Sequence, residues 1–84
     1  MKDYRYSINL FLKDEDDIEV AEAEFSKALE LPKKFLPQPF NMESLCYKEN
    51  EIEIANQHCT QLNQVIRKIG YTYVEFKIRE IKVR

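Results

Sequence analysis

The sequence predicts one α+β domain in the order strand, helix, strand, strand, helix, strand. Three stretches carry that expectation: residues 4–12 alternate apolar and other side chains, residues 52–69 hold a helical apolar seam, and residues 72–84 return to strand period. A chain of 84 residues fits one domain and excludes a second.

In YRYSINLFL, Tyr4, Tyr6, Ile8, Leu10 and Leu12 share one face and Arg5, Ser7, Asn9 and Phe11 the other. The following DEDDIEVAEAEFSKALEL predicts a helix. Asp14 is its expected cap, and acids fill the first turn, where the helix dipole favours them. Ile18, Ala21, Phe25, Ala28 and Leu29 form the expected buried stripe, and Pro32 is expected to end the helix.

Residues 33–40 are expected to give an irregular edge strand, because Pro37 and Pro39 cannot donate to a ladder. A turn near Asn41 would join it to a short strand over 43–48, with Leu45 and Tyr47 opposite Cys46. Asn50 and Glu53 have capping-box spacing, and Ile52, Ala55, Cys59, Leu62, Ile66 and Ile69 make one seam that Gly70 can terminate.

This βαββαβ order is that of the ferredoxin-like plait, an antiparallel sheet with two helices on one face. Its second and fourth strands lie at the edges, which suits the prolines. The alternative is a three-stranded sheet with two helices and residues 33–40 as a loop.

The last strand raises the functional question. Val74, Phe76 and Ile78 keep period two, but the next apolar residues are Ile81 and Val83. The extra residue either forms a bulge or moves Ile81 and Val83 to the opposite face. On the second reading, Arg79, Ile81 and Val83 form a partner-binding edge, covered by another copy of the chain or by another protein.

Two further surfaces stand out. Arg5, Phe11, Tyr71, Tyr73 and Lys77 would give the open sheet face an aromatic and basic character, similar in kind to sheets on which single-stranded nucleic acid stacks. The aromatic consensus of those RNA-binding modules is missing from residues 42–48. Residues 14–30 hold eight acids against one base, so Asp16, Glu19 and Glu22 present an acidic surface suited to a cationic partner. As a calcium loop this run lacks the glycine and the distal glutamate.

Catalytic signals are few. The chain has one histidine and one glycine, which leaves no Gly-rich phosphate loop and no nucleophile elbow. His58 and Cys59 are helix neighbours pointing about 100° apart, a poor metal pair, and Cys46 and Cys59 read as free thiols. No cofactor, metal, membrane span or small-molecule substrate is expected, and the expected compartment is cytoplasmic. The leading expectation is a non-enzymatic protein–protein interaction module, regulatory, inhibitor or immunity-type in character. It would homodimerise or dock through its C-terminal edge strand. Single-stranded nucleic-acid binding on the open face is the alternative.

Overall fold

In a computed structural model, residues 4–13, 17–38 and 40–81 are described, without the side chains of 42 and 43. Strand β1 (Tyr6–Leu12) leads to helix α1 (Ile18–Ala28) and a short helix α2 (Leu31–Phe35). A 3-10 turn (Met42–Leu45) enters β2 (Cys46–Tyr47), and a second turn (Glu49–Glu51) enters α3 (Ile52–Ile69) before β3 (Val74–Glu80). The fold is α+β, with a three-stranded antiparallel sheet of order β2-β1-β3.

That order matches three of the four strands of a plait, and among the described residues no strand forms over 33–40, where the edge strand is expected. The correction has a local cause. Pro32 does not merely follow α1; it occupies the first turn of α2, where a proline has no intrahelical donor to lose. Leu31, Pro32 and Leu36 then bury against the core, and Gln61 of α3 donates to the Phe35 carbonyl at 2.6 Å. Chain that an edge strand would need is thus spent in a helical turn. Strand β2 is also shorter than expected, since Met42–Leu45 coils before it.

Each long helix starts differently from its sequence signal. Asp17 caps α1, its side chain accepting from the Val20 N–H at 3.2 Å, while Asp14 lies outside the described residues. Helix α3 follows a turn closed by Glu51, whose carboxylate accepts from the Lys48 N–H at 2.8 Å, in place of an Asn50–Glu53 box. Its end is as expected: Gly70, at φ 98°, takes the left-handed cap and donates to the Ile66 and Arg67 carbonyls.

One core lies between the sheet and the helices. Ile8, Val74 and Phe76 from the sheet meet Ala28 of α1, Leu31 of α2, and Ala55, Leu62 and Ile66 of α3. The expected stripes are trimmed at their ends, because Ile18, Leu29 and Ile69 are about half exposed. Leu62 is at the centre, with no exposure. Its truncation removes methyl groups from a site the rigid ladder cannot collapse into. Leu62→Ala should therefore lower stability by about 2–5 kcal/mol in urea denaturation, whereas Ile69→Ala should cost under about 1 kcal/mol, as burial-scaled losses require.

Candidate functional site

Strands β1 and β3 pair without interruption from Tyr6↔Glu80 to Leu12↔Val74. The pairing continues at both ends, as Lys13 N–H donates to Tyr73 O and Ile81 N–H to Arg5 O, each at 2.7 Å. No bulge absorbs the extra residue. Glu80 takes the slot on the helix-covered side, opposite Tyr6, and Ile81 falls on the open face beside Arg79. Val83 lies outside the described residues.

This register also fixes which backbone groups point out of the sheet. Odd-numbered residues of β3 bond to β1, so the N–H and C=O of Val74, Phe76, Ile78 and Glu80 face the outer edge. Phe76 finds a partner there. Asn63 of α3 donates through Nδ2 to its carbonyl and accepts through Oδ1 from its N–H, both at 2.9 Å. One amide thus does for Phe76 what a neighbouring strand would do. Cys59 adds an Sγ contact at 3.3 Å to the same carbonyl.

The Asn63 clamp divides the edge. Toward the start of β3, Ile66, Arg67 and Tyr71 line a cleft with Lys13, Val74 and Glu75. Toward the end, the outward groups of Ile78 and Glu80 face a side where no strand of the described residues lies. Ile81 is half-buried there in a shallow depression with Ser7, Asn9, Arg79 and Glu80.

The other open-face residues are only partly assembled. Phe11 is exposed and Lys77 stands over its ring at 6.0 Å from the centroid. Arg5 pairs with Glu80 at 3.2 Å, and Lys13 with Glu75 at 3.7 Å. Tyr73 is half-buried beside Lys13. Tyr71 leaves this face altogether and packs against the core on the helix side. On α1, Glu19 and Glu22 are exposed, and Asp16 lies outside the described residues. Glu24, by contrast, is used internally, its Oε1 accepting from the Thr72 N–H at 3.1 Å and the Tyr73 N–H at 2.9 Å.

A second polar pair sits at the opposite side of the core. The Tyr47 hydroxyl lies 2.6 Å from His58 Nδ1, with the rings 5.6 Å apart. Burial pushes Tyr47 up to about 12, aided by neighbouring Cys46, Cys59 and Glu51, and burial lowers His58 from its usual range. Burial thus favours the neutral form of both groups, which a hydrogen bond joins. Burial likewise raises the Cys59 thiol, and Glu75 adds to this against the hydrogen bond from Asn63. Neither cysteine is in a disulfide. Among the described residues no group of His, Cys, Asp and Glu could hold a metal, and no helix is long and apolar enough to cross a membrane.

Asn63 and the Tyr47–His58 pair were not singled out by sequence reasoning, and Glu24 reads in the sequence as part of the acidic surface with Glu19 and Glu22. A signal for Asn63 exists: it lies four residues after Cys59 and three before Ile66, so it flanks the seam with a group able to pair a peptide unit. Comparison with protein families, curated proteins and solved structures finds no match for this chain.

Two outcomes follow from these contacts. Asn63→Ala leaves the part-buried peptide groups of Phe76 without their amide partner, and should cost about 1–3 kcal/mol with faster hydrogen exchange at the Phe76 amide. For the Tyr47–His58 pair, the unfolded chain takes up a proton first below pH 6.5 and loses one first above pH 10.0. Urea midpoints should thus fall as pH drops below 6.5, and again as it rises from 10.0 toward about 12. Tyr47→Phe should remove this tyrosine's share of the alkaline loss.

Proposed function

We propose that this chain is a non-enzymatic protein–protein interaction module that docks through the C-terminal half of β3, on a second copy of itself or on another protein. The carrying observation is the unbroken register to Ile81: it puts an apolar side chain on the open face, next to an edge whose outward groups at Ile78 and Glu80 face no strand of the described residues. Strand addition joins these two features, since a new strand takes up the backbone groups while its side chains cover Ile81. Arg79 and Ile81 form the contact, with Val83 as its continuation in sequence. Exposed Glu19 and Glu22 on α1 offer a second surface to a cationic partner. Regulatory, inhibitor or immunity-type roles and a cytoplasmic setting fit a module of this size.

The alternative is single-stranded nucleic acid on the open face, favoured by exposed Phe11 with Lys77 above it. Tyr71 no longer supports that platform, and Arg5 and Lys13 are engaged by acids. Where the partner is a second copy, Ile81→Lys combined with Val83→Lys should abolish self-association in sedimentation equilibrium. If the native chain is a monomer and the variant behaves identically, the homodimer form of the proposal fails. A labelled oligonucleotide should show no binding at low salt; binding that weakens with salt and with Phe11→Ala would favour the alternative.

A further inference from the structure

The open end of β3 carries a charge pattern that bears on what can lie beside it. Lys77 and Arg79 are both exposed on the open face, one strand period apart. Across the ladder they meet Asn9 and Ser7, which are uncharged. The acids of this neighbourhood are committed elsewhere, Glu80 to Arg5 and Glu75 to Lys13. On the outer side of β3, the positions beside Lys77 and Arg79 are therefore open to negative charge.

A second copy of β3 supplies the wrong charge. Pairing about a twofold axis is antiparallel and must join outward-facing residues, which here are Ile78 and Glu80, because Asn63 occupies Phe76. Centred on Ile78, the pairing sets Lys77 opposite Arg79. Centred on Arg79, it sets that residue opposite itself, and centred on Glu80 it opposes two glutamates. Like charges directly opposite destabilise a ladder. Registers centred beyond Glu80 draw their pairs from residues outside the described ones.

Resting on the reading of β3 as a docking edge, we infer that its partner is an extended acidic segment of another protein. That segment adds to the sheet alongside Ile78–Ile81. Acidic side chains two residues apart lie beside Lys77 and Arg79, and an apolar one covers Ile81 in the depression formed with Ser7 and Asn9. Backbone bonds form at Ile78 and Glu80. The Asn63 amide stops the added strand at Phe76 and so sets its register, which a bare edge would leave free to slip.

The test uses the full chain labelled with nitrogen-15, titrated with a short acetylated peptide that carries Glu, Glu and Val at three successive alternate positions with Thr between them, and with the same peptide carrying Lys for Glu. The Glu peptide should bind, more weakly at high salt, and shift the amide signals of Ile78 and Glu80 but not of Val74. The Lys peptide should not bind. Lys77→Glu with Arg79→Glu, with an unchanged circular dichroism spectrum, should weaken the Glu peptide by about tenfold or more and accept the Lys peptide. Equal binding of both peptides overturns the charge assignment and leaves edge docking standing. If neither peptide binds and the chain is a dimer that Ile81→Lys dissociates, the partner is a second copy; this overturns the inference but supports the function proposed above. If neither binds and the chain is a monomer, both fail.

Discussion

The register of β3 against β1 is the constraint on which the rest of the molecule depends. Seven consecutive pairs, extended by one backbone bond at each end, decide which β3 side chains enter the core and which backbone groups look outward. That register is set where the strand begins. Gly70 turns the chain off α3, and Glu24 of α1 holds the Thr72 and Tyr73 N–H groups. A carboxylate gripping two successive amides leaves the strand little freedom to shift, and a shift by one residue would exchange Val74 and Phe76 for Glu75 and Lys77 in the core.

With the register in place, the edge of the sheet becomes a problem the protein solves only in part. Unpaired strand edges commonly carry charges, prolines or bulges against unwanted pairing. Here one residue of the edge, Phe76, is closed by a neutral amide from the helix above, with geometry close to that of a backbone peptide. The choice suits a half-buried position, where a charged side chain would bear a desolvation cost that Asn63 avoids. Because the amide serves one residue, the closure is local. It protects the region where Phe76 enters the core and leaves the end of the strand as it was.

Much of this was legible in the sequence because it depends on period. The alternation of Tyr6–Leu12 and the seam from Ile52 to Ile66 place β1, α3 and their buried faces, and the slip after Ile78 shows that Ile81 cannot share a face with Phe76 in an unbroken strand. What escaped is set by contacts between distant segments. Pro32 reads as a helix stop until α2 is seen to use it as a start. Glu24 looks like one more acid on a solvated face, yet it bonds a loop 48 residues away. Tyr71 continues the aromatic run in sequence, but it precedes the strand and so is not bound by its alternation.

The break in period gains its meaning from Glu80. A strand that served only its own core would place an apolar residue there, in the row of Val74, Phe76 and Ile78. Instead that row ends in an exposed acid paired with Arg5, at the rim where Tyr6 closes the core. The hydrocarbon moves to Ile81, on the side where no helix of the described residues lies. Among the described residues this exchange gives up burial on one face and leaves Ile81 only half-buried on the other. On the function proposed above, a strand added at the edge beside Ile81 completes the cover that the described residues give it in part.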